Sequence, residues 1–209
     1  LFSVTNRLNG SLRFLEDVRS EMKRLPGIEP GLPTIVVAGY PNVGKSTLVK
    51  TITDAQPEIA SYPFTTREVM IGHTKIDSIP CQIIDTPGVL DRPISEKNPI
   101  EKRALAAIRH LAWVLAFLVD ATETCGFPIQ SQLQLLAELQ SILTPIPVQI
   151  AFNKADILPL SDLNSDLLPS SEQESLHELV AYERPSAIAL LRRCLDLIQI
   201  DREKVLSMR

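Results

Sequence analysis

The nonapeptide GYPNVGKST, Gly39 to Thr47, constrains this chain more than any other feature. Before it stands TIVVAG, an apolar, β-branched run of strand length. After it comes KSTLVKTIT, which has the pattern of a helix. A G-x-x-x-x-G-K-[ST] loop between a strand and a helix is an anion cradle. Gly44 lets the backbone approach an anion closely. The amides of Asn42 through Ser46, backed by the helix N-terminus, make a nest for oxygens. Lys45 reaches the outer phosphates as a point charge. The Ser46 hydroxyl suits a hard cation such as Mg2+.

Two further motifs follow in a fixed order. DTPG, Asp85 to Gly88, ends a strand-like run about forty residues downstream, where a phosphate-binding NTPase carries its second phosphate motif. Asp85 is expected to hold Mg2+ through a water, and the Gly88 amide to bond the γ-phosphate. By itself the tetrapeptide is also a good turn. NKAD, Asn153 to Asp156, follows the strand-like VQIAF. Guanine offers N1–H and N2–H as paired donors that one carboxylate can accept, whereas adenine presents an acceptor at N1 and has no 2-amino group. Asp156 therefore selects guanine, and losing those bonds costs a wrong base ~2–5 kcal/mol. Asn153 either touches the O6/N7 edge of the base or ties its loop to the phosphate loop. The Lys154 stem is expected over the ring.

The rest of the chain supplies the frame. REVMIGHTKI and PCQIIDT read as strands joined near Asp77 and Ser78. NPIEKRALAAIRHL reads as a helix with Pro99 and Glu101 in its first turn. WVLAFLVD, IQSQLQLLAELQSIL and VQIAFN give strand, helix and strand. This alternation predicts an α/β fold of the P-loop NTPase, GTPase type: a mostly parallel sheet with helices on both faces and ligands at the carboxyl ends of the strands. Upstream, Leu8, Leu12, Leu15, Val18, Met22 and Leu25 form one stripe of an amphipathic helix, and a Pro/Gly linker follows. The expected division is an N-terminal helical segment and linker over 1–33, the end of a larger helical region, and a nucleotide domain with a C-terminal helix over 34–209. Ile157 to Ser171 is expected to be a mobile surface loop. Trp113 is expected in the core, and His110 at a helix C-terminus.

Composition narrows the partners. A net charge of −4 and a pI near 5.5 do not mark a nucleic-acid binder, and no DNA partner is expected. No apolar run is long enough to span a bilayer. Cys81, Cys125 and Cys194 are far apart, as expected of reduced thiols in an intracellular protein.

With three motifs in order, the sequence resembles the translation-factor-related, Obg-like GTPases, whose first switch is matched by YPFTT at Tyr62 to Thr66. LRFLEDVRSEMKRLPGIEP, Gly72-His73, DTPGVLDRPISEKNPIEKRALAAIRHL and DATETCG narrow the resemblance to the nucleolar GTP-binding protein (Nog) family. The resemblance implies GTP or GDP on Pro41, Asn42, Val43, Gly44, Lys45, Ser46, Thr47, Asp85, Gly88, Asn153, Lys154 and Asp156. It implies Mg2+ on Ser46, Asp85 and a threonine of the first switch, Thr66 in preference to Thr65. It implies hydrolysis of GTP, a partner in the pre-ribosomal large subunit with its rRNA and proteins, and a nucleolar address in a eukaryote or a cytoplasmic one in a prokaryote. The family's base-supporting Ser-Ala loop has one candidate here, Ser186-Ala187.

Val89 occupies the position where well-known small GTPases carry a water-orienting glutamine. Phosphoryl transfer needs mostly positioning and charge neutralisation, and a cation can supply the second. Some GTPases of this broader class with the same PN-x-GKS loop use the asparagine for K+, so the resemblance adds Asn42 to Lys45, Thr66 and Gly88 in the expected catalytic set. Its plain alternative is that Asn42 shapes the turn. Arg67 and Arg92 flank the two switches as cationic candidates in cis. Two other functions fit the phosphate loop: a nucleotide-gated scaffold with negligible hydrolysis, and a P-loop ATPase or kinase.

Overall fold

The computed structural model describes residues 27–29, 31–54, 56–61, 68–163 and 176–198. The amphipathic stripe of Leu8 to Leu25, the first switch with Thr65 and Thr66, and Arg67 lie outside the described residues.

The phosphate loop joins strand β1 (Thr34–Ala38) to helix α1 (Lys45–Ile52). Then come β2 (Glu58–Ser61), β3 (Glu68–Ile76), β4 (Ile79–Asp85), α2 (Pro99–Leu111), β5 (Val114–Asp120), α3 (Ile129–Leu143), β6 (Val148–Asn153), β7 (Leu176–Leu179) and α4 (Arg184–Leu197). The strands form one sheet in the order β2-β3-β4-β1-β5-β6-β7. From β4 to β7 every pairing is parallel; β2/β3 and β3/β4 are antiparallel. The mostly parallel α/β sheet expected from the sequence is thus present, with an antiparallel hairpin on one side.

Every residue of β1 and β5 is buried, which requires cover on both faces of the sheet. Helices α1 and α4 contact each other as well as the sheet, and α3 contacts β5. The β3/β4 hairpin turns on Asp77 and Ser78, whose φ values of 50° and 71° are both left-handed, as a tight two-residue hairpin loop requires. Helix α2 starts at a capping box. Asn98 Oδ1 accepts the Glu101 N–H at 2.8 Å, and Glu101 Oε2 accepts the Asn98 N–H at 3.0 Å. Arg109 and His110 sit in its last turn, where cations suit the dipole.

The structure refines four sequence readings. Strands β2 and β7 have only four residues each, too short for a periodic signal, and both lie at sheet edges. Trp113 is 38% exposed rather than core: its backbone starts the strand pairing, but its ring lies outside the sheet interior. Within the expected loop Ile157 to Ser171, residues 157–163 are turns, including a 3-10 turn at Leu160–Asp162; the remainder lies outside the described residues. The linker before β1 is docked. Ile28 is buried, and Gln82 on β4 exchanges two 3.0 Å hydrogen bonds with the Glu29 backbone.

Candidate nucleotide site

The ends of β1, β4, β5 and β6 bring Gly39, Asp85, Asp120 and Asn153 to one edge of the sheet, because parallel strands share a direction. The phosphate loop crosses that edge. Its turn uses Asn42 at φ 63° and Gly44 at φ 106°. Asn tolerates the left-handed region, so the exposed Asn42 serves the turn by its backbone. Gly44 is required twice over: its φ is left-handed, and a Cβ there would overlap Asn153 Nδ2.

Lys45 is held inside the loop. Its Nζ donates to Gly39 O at 2.9 Å and to Tyr40 O at 2.8 Å. Burial pushes its pKa down, opposed by the charges of Asp85 and Asp91. Ser46 Oγ donates to Asp85 Oδ2 at 2.7 Å. Asp85 is fully buried, and its Oδ1 has no hydrogen-bond partner. Burial raises its pKa, while the Ser46 hydroxyl and Lys45 act to lower it. A hydroxyl beside a buried carboxylate with one uncommitted oxygen is an all-oxygen donor set of the kind Mg2+ takes with one or two protein ligands. Thr47 is exposed on the first turn of α1, and Val43 is buried beneath the loop.

Residues 86–89 form a turn in which Val89 N–H donates to Thr86 O at 3.1 Å and Gly88 has φ 84°. The Gly88 N–H is committed to Asp91 Oδ2 at 2.7 Å. Val89 and Leu90 are core residues, and Leu90 O accepts the Gly39 N–H at 3.1 Å, tying this segment to the phosphate loop. Val89 therefore packs inward. Arg92 is paired with Glu101 at 2.6 Å, a contact that holds its guanidinium on α2.

At the far end, Asn153 ties its loop to the phosphate loop, one of the two roles the sequence allows. Its Nδ2 donates to Val43 O at 2.8 Å, and its Oδ1 accepts the Ala181 N–H at 2.9 Å. Lys154, at φ 66°, donates to Asp120 Oδ2 at 2.5 Å and to Thr124 Oγ1 at 2.6 Å. Asp120 also accepts from the Thr122 and Cys125 amides at 3.0 and 2.8 Å. Burial opposes its charge, yet these hydrogen bonds, with Lys154 foremost, hold its carboxyl below the usual range. Gln132, fully buried, locks the same loop by accepting from Asp120 N and donating to Asp120 O and Phe127 O. Asp156 is exposed, and its Oδ2 accepts the Tyr182 hydroxyl at 3.0 Å.

Ser186-Ala187, the candidate for the base-supporting loop, is helical. Both residues lie in the first turn of α4, where Ser186 Oγ accepts the Val180 N–H at 2.9 Å and Ala187 is buried. The turn after β7, at Val180 to Tyr182, stands beside Asn153 and Asp156 instead. Sequence reasoning missed this because β7 is four residues long and the turn carries no Ser-Ala. It also missed Asp120, although the shared strand direction places the last residue of VLAFLVD on the same edge as Asp85 and Asn153.

The chain matches a family model described as 50S ribosome-binding GTPase over residues 34–154. It is 40% identical over 161 residues to nucleolar GTP-binding protein 1 of Drosophila melanogaster, covering 77% of this chain and 25% of that protein. It is 35% identical over 207 residues to the Eremothecium gossypii protein of the same name, covering 99% of this chain and 30% of that one. Thus the chain spans about a quarter to a third of the length of these relatives. A solved structure described as nucleolar GTP-binding protein 1 from Plasmodium falciparum superposes with a TM-score of 0.73 at 27% identity, covering 88% of this chain and 95% of that one. This chain belongs to the 50S ribosome-binding GTPase family, on its nucleolar GTP-binding (Nog) branch.

Proposed function

We propose that this chain is a guanine-nucleotide switch that binds and hydrolyses GTP and works in assembly of the large ribosomal subunit. The observation that carries the nucleotide reading is the Asn153 bridge. One side chain fastens the NKAD loop to the phosphate loop through Val43 O and to the 180–182 turn through Ala181 N. A base-reading carboxylate and a phosphate cradle are thereby held at a fixed separation, as one ligand spanning both requires. Family membership and the names of the relatives support the ribosomal assignment.

Each residue then has a task. The loop of Pro41, Asn42, Val43, Gly44, Ser46 and Thr47 cradles the phosphates, and Lys45 supplies charge at the β–γ bridge. Ser46 and Asp85, with Thr66 of the first switch, hold Mg2+, which when bound neutralises charge developing on the phosphates. Gly88 gives its amide to the γ-phosphate. Asp156 reads the guanine N1–H and N2–H, while Lys154 closes over the base from its anchor on Asp120. When the γ-phosphate leaves, the contacts of Thr66 and Gly88 are lost and the switch segments relax, which is the change a partner reads.

Val89 is buried, so no side chain at that position orients water. Slow turnover alone is the expected consequence. Stimulation by K+ at Asn42, or by a precursor particle of the large subunit, supplies the missing charge; such a cation is worth ~10³–10⁵ in rate in related chemistry.

The decisive measurement is calorimetry with GDP and ADP on the wild type and on Asp156→Asn. Preference for GDP, lost in the variant, is expected. Equal affinity for the two nucleotides refutes guanine recognition. Single-turnover hydrolysis in KCl against NaCl, with Asn42→Ala, tests the cation; equal rates in all arms remove it. Turnover with and without large-subunit precursors tests the ribosomal role, and no change in rate or in co-sedimentation with them counts against it.

A further inference from the structure

The segment that follows Gly88 carries two buried charges that the nucleotide chemistry leaves unused. Asp91 is 6% exposed and Lys97 4% exposed. Asp91 Oδ2 accepts the Gly88 N–H at 2.7 Å, while Asp91 Oδ1 and Lys97 Nζ have no hydrogen-bond partner. Burial pushes the Lys97 pKa down, and the nearby charge of Asp91 acts to raise it again.

An amide has one hydrogen. A γ-phosphate oxygen and Asp91 Oδ2 cannot both sit at hydrogen-bond distance along it, and two anions crowded there repel strongly where water is excluded. Resting on the reading that Gly88 senses the γ-phosphate, we propose that Asp91 is an internal competitor for that phosphate: it holds the Gly88 amide with GDP and yields it to GTP, so it sets how far the site distinguishes the two nucleotides.

The geometry allows this exchange by side-chain rotation. Val89 and Leu90 are buried, and Leu90 O is bonded to Gly39 N, so the backbone on the N-terminal side of Asp91 is anchored. A cavity of about 290 Å³, lined by Tyr40, Pro41, Gly88, Asp91, Arg92 and Phe127 among others, adjoins the carboxylate and gives it room. Lys97, six residues on in the same segment, is the second resting place: a buried ammonium without an acceptor is stabilised by a carboxylate that turns toward it. The Glu96 and Arg92 charges also face Lys97, and Glu101 is held by Arg92. Asp91 is therefore the carboxylate in this group whose present hydrogen bond a third phosphate would displace.

The test is a fluorescence titration of wild type, Asp91→Ala, Asp91→Asn and Lys97→Met with GDP and with a non-hydrolysable GTP analogue, reading the ratio of the two Kd values. Removing a charge-assisted acceptor from the amide is expected to shift the ratio about 10- to 100-fold toward the GTP analogue in Asp91→Ala, with the GDP Kd as internal reference. Asp91→Asn keeps the volume and an oxygen acceptor but not the charge, so a smaller shift in the same direction is expected. Lys97→Met removes the second resting place and moves the ratio toward GDP. An unchanged ratio in Asp91→Asn with GDP binding retained overturns the proposal, even if Asp91→Ala does not fold. Failure of the wild type to bind either nucleotide overturns instead the Gly88 reading beneath it, and the proposal with it.

Discussion

Replacing Asn153 with alanine removes the side chain on which the proposed site is built, and the structure sets the size of the effect. Asn153 is 5% exposed, and its amide satisfies two backbone groups from distant segments, Val43 O at 2.8 Å and Ala181 N at 2.9 Å. Truncation leaves both without partners. Each buried polar group stranded in this way costs ~1–3 kcal/mol, so the pair predicts a loss of roughly 2–6 kcal/mol of folding stability. For a domain of this size each kcal/mol moves Tm by about 2–4 °C, so even the lower bound lowers Tm by ~4 °C or more. The assay is urea unfolding followed by circular dichroism, with GDP calorimetry in parallel. Affinity should fall together with stability, because the same bridge sets the spacing of the phosphate and base loops. Gly44→Ala is the matched perturbation: its Cβ enters the space of Asn153 Nδ2 and loosens the same bridge by collision. A stability change in Asn153→Ala below ~0.5 kcal/mol, with GDP affinity unaltered, would refute the claim that this residue couples the two halves of the site.

Other expectations follow from single contacts. Tyr182→Phe removes the hydroxyl that Asp156 Oδ2 accepts at 3.0 Å; competition calorimetry should show weaker GDP binding and poorer exclusion of ADP, and unchanged values would mean the contact has no part in base reading. Gly72 lies against the end of α1, where a Cβ would overlap Thr53 Oγ1. Gly72→Ala should therefore lower the unfolding midpoint, and adding Thr53→Ala should restore part of it, a non-additivity that a double-mutant cycle measures directly. Burial pushes the Cys81 thiol from 9.0 up to about 12 and raises Cys125 and Cys194 as well. The unfolded chain thus ionises its thiols first, so this contribution to stability is intact below pH 9 and is lost as pH rises from there toward about 12. In the native state at pH 8 none of the three should react with a thiol reagent, and all should react in denaturant.

The phosphate loop, the DTPG turn, the NKAD loop and most of the elements around them were legible in the residues. Each is local: a glycine where the backbone bends, a hydroxyl or lysine at a set offset, and apolar runs of strand or helix length. For the same reason the parallel sheet could be anticipated, since alternating strands and helices leave few other ways to bury both faces of β1 and β5. The edge strands β2 and β7 were not legible, because four residues carry no period and their pairing is decided by the neighbours they add to.

Residue types and their spacing by themselves determined that this chain carries a glycine-lysine loop, an Asp-Thr-Pro-Gly turn and an Asn-Lys-Ala-Asp loop, and that all three lie on one sheet edge. Tertiary structure alone decided that Asn153 ties the 153–156 loop to the phosphate loop, that the turn at Val180 to Tyr182 rather than Ser186-Ala187 stands beside Asn153 and Asp156, that Val89 faces the core, and that Asp91 holds the Gly88 amide. The difference is one of range. A motif records what a backbone does over a few residues. Which donor meets which acceptor across 28 or 110 positions of chain depends on how strands pair and helices pack.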